Sequence, residues 1–222
     1  MKFFAKAKNK RGEVYIYDAI GESYFGGGIG AKSFNDTLKE MGTVDGLDIY
    51  INSPGGSVFE GIAIYNQIKR FSAKEKIIHI DGVAASIASI IAMAGTEIRM
   101  AENAMMMIHD PWGMSVGTAD EMRKQAEALD KIRDTLLDTY VARSKGDREK
   151  ISNMMTAETW LTAKETKEMN FADVITGEKT VKAEFDMFKN FAKVPDKFKA
   201  SKDRDIDITI AKMQMRLSRL SK

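Results

Sequence analysis

The sequence predicts an α/β protein built on a parallel sheet. Short β-branched or aromatic runs (EVYIYDAI, LDIYI, KIIHI) alternate with segments of helical period. Glycine- and proline-bearing turns follow the strand-like runs. The intervals between runs leave room for one helix each, as crossover connections require. No segment repeats closely enough for a solenoid.

In chain order, Glu13 to Ile20 alternates apolar and polar residues and reads as the first strand. The glycine cluster Gly26 to Gly30 follows. Ala31 to Met41 reads as a helix with Phe34, Leu38 and Met41 on one face. Leu47 to Ile51 is a strand that runs into the turn Asn52-Ser53-Pro54-Gly55-Gly56. Phe59 to Phe71 is helical, with Ile62, Tyr65 and Ile68 spaced by three. Lys76 to Ile80 is the next strand, and Asp81-Gly82 is expected to break it before a small-residue helix from Ala84 to Ala94. Glu97 to Met100 and Ala104 to Ile108 read as two further strands. Thr118, with Glu121 three residues on, carries a capping box that opens a long helix. Its apolar stripe is Met122, Ala126, Leu129, Ile132 and Leu136, and Gly146 ends it. Ile151 to Met155 and Ala163 to Met169 read as shorter helices, and Ala172 to Ile175 as an edge strand.

Domain organisation is expected to be 1–180 for the α/β body and 181–222 for a basic tail. The tail holds 11 Lys/Arg against 6 Asp/Glu, whereas residues 1–180 hold 23 against 26. Pro195 interrupts any long tail helix. Ile206, Ile210, Met213, Leu217 and Leu220 form a short a/d seam. A net charge of only +2 gives no reason to expect a nucleic-acid partner. The absence of Cys removes thiolate metal sites, disulfides and a cysteine nucleophile. The two histidines, His79 and His109, sit in unlike contexts, so no metal and no cofactor is expected. The basic N-terminus has no apolar h-region behind it, and no stretch is long enough for a membrane span. A cytoplasmic protein is expected, with no membrane partner.

Three segments carry candidate chemistry. In Asp81-Gly82-Val83-Ala84-Ala85-Ser86, a strand ends, glycine turns the chain, and a helix begins near Ser86. Helix-terminal amides there would stabilise an oxyanion. The bland alternative is a capping or packing serine, which is also the reading for Ser89. In Asn52 to Val58, two glycines let the backbone present bare N–H groups to a ligand. In Met107-Ile108-His109-Asp110-Pro111, the histidine ends an apolar run and can supply the base that a serine nucleophile needs. His79, flanked by isoleucines, reads as part of a strand. A carboxylate must orient the imidazole. Asp110, Asp147, Glu158 and Asp173 are all candidates, and spacing does not choose among them.

Together, INSPGGSV, GVAASIAS and MIHDPWG resemble the ClpP-type serine peptidases in order and spacing. ETWLTAKETKEMNFADVI resembles the end of their catalytic domain, so the likeness runs from about residue 13 to 178. With FGGGIGAKSF added, the pattern is most similar to the ClpP-related head maturation (prohead) proteases of tailed phages and prophages. The resemblance implies the ClpP/crotonase-like fold of repeated β-β-α units with a long handle helix. It implies a serine endopeptidase working through an acyl-enzyme, with Ser86 as nucleophile and His109 as base. The third member falls on Glu158, where the housekeeping enzymes carry Asp. Glu is one methylene longer, so its backbone must sit further back. The oxyanion-hole amides fall on Gly56 and Ile87, and the substrate-binding positions on Gly55, Ser57, Val58, Pro111 and Trp112. The implied partners are protein or peptide substrates, specifically capsid or scaffold proteins, and copies of the chain in heptamer-based rings. The implied location is a host cytoplasm or a procapsid. With the first strand expected near Glu13, the chain departs from the family's longer N-terminal region, so an ATPase partner is not expected.

Rival readings are a general ATP-dependent self-compartmentalised protease, a crotonase-type acyl-CoA enzyme, a catalytically silent shell, and a P-loop nucleotide binder. The last would use Gly26 to Ser33, but Ala31 stands where that motif needs glycine before Lys-Ser.

Overall fold

The computed structural model describes residues 3–8 (as backbone), 10–21, 27–178, 188 and 191–195. The chain divides into two compact units, Met1–Ala183 and Glu184–Lys222. In the second, the rings of Phe188 and Phe191 lie 6.1 Å apart. The a/d seam from Ile206 to Leu220 lies outside the described residues, as does Gly26.

The first unit holds an eight-stranded sheet. Its spine runs β1 (Phe3–Lys8), β2 (Arg11–Ile16), β3 (Gly46–Ser53), β4 (Glu75–Ala85), β5 (Glu97–Ala101) and β8 (Val174–Thr176). β2, β3, β4, β5 and β8 are parallel along this path, and β1 joins antiparallel at one edge. β6 (Met105–Ile108) pairs parallel with β4, and β7 (Thr159–Thr162) pairs antiparallel with β6. Helices α1 (Ala31–Met41), α2 (Val58–Arg70) and α3 (Ile87–Ala92) connect the early strands. α4 (Ala119–Ser144), α5 (Arg148–Thr156) and α6 (Ala163–Glu168) follow. The predicted α/β class with a mostly parallel sheet is the observed one.

β2 alternates half-exposed Arg11, Glu13 and Tyr15 with buried Gly12, Val14 and Ile16. It begins two residues before the predicted strand and ends four residues earlier. β1, which was not foreseen, covers its outer edge, and the first strand therefore lies well before Glu13. Ile49, Ile51, Ile78 and Ile80 are fully buried in the central strands. Each contributes up to about 1.5–3 kcal/mol of transfer free energy.

The largest correction concerns Asp81-Gly82. These residues do not end the strand: β4 continues to Ala85, and the following helix is only Ile87–Ala92. The reason is a change of partner. Residues 77–80 pair with β5 and residues 83–85 pair with β6, so Asp81 and Gly82 lie at the changeover. The local turn signal marks a shift of pairing within one strand. β7 also went unpredicted, since four residues of mixed polarity carry little period.

α4 starts as the sequence implies, with reciprocal bonds between Thr118 and Glu121. Its stripe is only half covered within the chain. Leu136, Leu137 and Tyr140 are buried, whereas Met122 and Ala126 face solvent. Among the described residues, no helix is long and apolar enough to cross a membrane.

Candidate active site

The site forms where β4 and β6 end side by side and β7 begins. β4 ends at Ala85, followed by Ser86, and β6 ends at Ile108, followed by His109. β4 and β6 are in register at Ala85 and Met107, and the Ser86 amide donates to the Met107 carbonyl at 2.9 Å. β6 and β7 match Ile108 with Thr159. Glu158 immediately precedes Thr159, and His109 immediately follows Ile108. Carboxyl ends of parallel strands are where α/β sheets place ligand sites.

His109 Nε2 lies 2.7 Å from Ser86 Oγ. Ser86 has φ 55° and ψ −130°, a backbone state L-residues rarely adopt. Such strain costs about 1–3 kcal/mol and persists only where the surroundings enforce it. Here the enforcement is visible. The Ser86 carbonyl accepts from Ser89 Oγ at 2.5 Å, and Ser89 Oγ lies 2.6 Å from the hydroxyl of fully buried Tyr140. The single Ser89 proton goes to the carbonyl, so the tyrosine donates to Ser89. Ser89 is thus a structural link, as the bland reading of a second serine holds.

The glycine turn after β3 packs directly on Ser86. A Cβ at Gly55 would lie 2.7 Å from both Ser86 Cβ and the Ala85 carbonyl oxygen. Gly55 and Gly56 have φ 91° and 148°, so glycine is required at both. Ile20 donates to the Gly55 carbonyl and accepts from the Ser57 amide, both at 2.8 Å. This parallel bridge turns the N–H of Gly56 itself away from Ile20. Ser57 caps α2, Val58 is its half-buried first residue, and Ile87 is the buried first residue of α3. Pro111 is half-buried and Trp112 is 56% exposed beyond the histidine.

His109 is held below its ordinary pKa, chiefly because burial penalises the imidazolium. The charge of Glu158, then that of Asp110, pulls in the opposite direction. The imidazole is therefore neutral near pH 7. Glu158 sits in the turn before β7 with φ 49° and accepts a 3.4 Å bond from Trp160 Nε1. The other candidate carboxylates are committed elsewhere. Asp147 caps α5 through the amides of Glu149 and Lys150. Asp173 takes the Ile98 amide and Arg143. Asp110 binds Arg133 Nε at 2.7 Å and Thr156 Oγ1 at 2.9 Å.

His79 lies on β4, as the sequence implies, but its ring works on the half-exposed side of the sheet. It is stacked on Tyr50, with Nε2 2.8 Å from Asp48. Burial alone would raise the Asp48 carboxyl, yet hydrogen bonds from His79 and Arg11 outweigh it and hold it low. The glycine loop before α1 is unsuited to phosphate. The Gly28 amide is taken by Asp18, that of Ile29 by the Ala19 carbonyl and that of Ala31 by Glu60. No group of three metal-ligating side chains occurs among the described residues.

Fold and site thus define an α/β protein with a strained serine beside a half-buried neutral histidine at the strand ends. The chain belongs to the Clp protease family, whose model matches residues 37–179. It is 33% identical over 150 residues to the ATP-dependent Clp protease proteolytic subunit of Bacteroides thetaiotaomicron, covering 65% of this chain and 68% of that protein. It is 36% identical over 134 residues to the same-named protein of Pleurastrum terricola, covering 59% and 67%. A ClpP1 point mutant from Listeria monocytogenes shares the fold, with TM-score 0.65 and 24% identity over 75% of this chain and 91% of that one.

Proposed function

We propose that the chain is a serine endopeptidase in which Ser86 attacks the scissile carbonyl and His109 Nε2 receives the hydroxyl proton. The carrying observation is the 2.7 Å approach of His109 Nε2 to Ser86 Oγ on a backbone strained into place. Glu158 is the orienting carboxylate. It directly precedes Thr159, the β7 partner of Ile108, and its charge favours the imidazolium that forms. The amides of Gly56 and Ile87 hold the oxyanion. The acyl-enzyme on Ser86 is then released by water, with His109 acting as base again. The substrate lies extended between the Gly55–Val58 turn and the Pro111–Trp112 segment.

The chain works as a ring assembly, with the uncovered half of the α4 stripe as one contact surface. Its substrates are capsid or scaffold proteins of a tailed phage or prophage, a reading supported by the joint motif pattern FGGGIGAKSF, MIHDPWG and ETWLTA. The names of the curated relatives favour a second reading, a general energy-dependent protease subunit. A fluorophosphonate probe tests the chemistry: it should label Ser86 alone and abolish peptide turnover. Labelling of Ser53, Ser57 or Ser89 instead would overturn the assignment. Co-expression with capsid and scaffold proteins, against a Ser86→Ala control, tests the substrate. Discrete cleavage supports head maturation, whereas degradation only with an added ATPase supports the second reading.

A further inference from the structure

Beside the proposed site lies a cluster that the mechanism above does not use. Arg133 rises from the middle of α4. Its Nε donates to Asp110 Oδ1 at 2.7 Å, and its Nη2 donates to Ser152 Oγ at 2.5 Å, with Thr156 Oγ1 at 3.4 Å. Thr156 Oγ1 donates to Asp110 Oδ2 at 2.9 Å, and the Asp110 amide donates to the Met155 carbonyl at 3.2 Å. Asp110 is thereby held on both carboxylate oxygens and on its backbone, by two helices. Arg133 is only 23% exposed and Asp110 33%, so the pair is sheltered enough for its charges to act on near neighbours.

Asp110 directly follows His109. The groups facing that imidazole are Ser86 from the β4–α3 junction, Glu158 from the α5–β7 turn, and Asp110 from its own segment, with Arg133 of α4 behind Asp110. Two carboxylates therefore compete for one histidine, and one of them already has a cation.

We propose that Arg133 is a positioning residue for His109: by clasping Asp110 it pins the segment after the histidine to α4 and α5 and leaves Glu158 as the imidazole's carboxylate. The clasp also offsets Asp110's charge, so the imidazole stays neutral and able to take a proton near pH 7. This rests on the peptidase reading for its meaning, but not for its measurement.

With only two histidines in the chain, each imidazole can be titrated separately by Cε1 hydrogen–deuterium exchange read by mass spectrometry. Arg133→Gln uncovers Asp110's charge and should raise the His109 midpoint by about half to one pH unit at low salt. The His79 midpoint should stay where it is. Arg133→Lys should restore most of the wild-type value, and Asp110→Asn should lower it. An unmoved His109 midpoint in Arg133→Gln overturns the proposal, as does equal movement of both histidines, which would report general loosening. Fluorophosphonate labelling of the wild type is run alongside. If Ser86 is not labelled, the peptidase reading fails while the midpoints still decide the clasp.

Discussion

Ser86 and Ser89 stand three residues apart, and their hydroxyls meet different partners, His109 for the one and Tyr140 with the Ser86 carbonyl for the other. Replacing Ser89 with Ala removes two hydrogen bonds. The hydroxyl of Tyr140, fully buried, loses its acceptor, and the Ser86 carbonyl keeps the Ser89 amide at 3.0 Å but loses the hydroxyl donor. An orphaned buried hydroxyl costs about 1–3 kcal/mol, and an ordinary hydrogen bond contributes about 1 kcal/mol. Ser89→Ala should therefore destabilise the fold by about 2–4 kcal/mol. At about 2–4 °C per kcal/mol for a chain of this size, Tm should fall by roughly 4–16 °C. Tyr140→Phe leaves the Ser89–Ser86 bond in place and should cost about 0.5–1.5 kcal/mol. Ser86→Ala touches neither bond and should alter stability by less than about 1 kcal/mol. Thermal unfolding followed by circular dichroism supplies the stabilities, and fluorophosphonate labelling supplies the reactivity. Below the Tm, the Ser89 variant should still be labelled and the Ser86 variant should not. If Ser89→Ala loses labelling with an unchanged Tm, Ser89 belongs to the chemistry and the reasoning fails.

His109→Ala should lose about 10³-fold or more in kcat, whereas His79→Ala should lower Tm through its Asp48 contact and leave peptide turnover nearly intact; equal catalytic loss in both, with folding preserved, would contradict this. Glu158→Gln should reduce turnover strongly, and Asp147→Asn should change little because asparagine caps helices as well as aspartate does; steady-state kinetics of the two variants decides. The acid limb of kcat/KM should fall below pH 6.5, since burial lowers the His109 pKa and only the neutral ring accepts the proton. The same lowered pKa means that stability diminishes as pH falls through this range, because the unfolded chain takes up that proton first; a midpoint above 7 would reverse the sign. Gly55→Ala should abolish turnover and lower Tm, because the added Cβ would stand 2.7 Å from Ser86 Cβ at a φ of 91°.

Much of the site was legible in the sequence because its cues are local. An apolar run ending at His109, a strand-to-helix junction at Ser86 and paired glycines after a strand are each written within ten residues. The capping box at Thr118 is equally local, and α4 begins where it says. The polar bridge beneath the site, from Tyr140 through Ser89 to Ser86, had no such cue, since Tyr140 and Ser89 lie 51 residues apart in sequence. The choice among four carboxylates was likewise closed to sequence reading. It depends on the β6–β7 register, and on which of the other three already hold an amide, a guanidinium or a hydroxyl. The Asp81-Gly82 signal misled for a related reason. Local turn propensity is real, but a strand that gains a second partner in β6 continues through it, because pairing satisfies the backbone groups that a turn would expose. Periodicity and turn chemistry act over one or two turns of chain, and they made most of the elements and the candidate Ser86 and His109 legible. Long-range pairing and the competition for hydrogen-bond partners act only once the chain is folded, and they alone decided which carboxylates are bonded away from the site and what holds the strained serine in place.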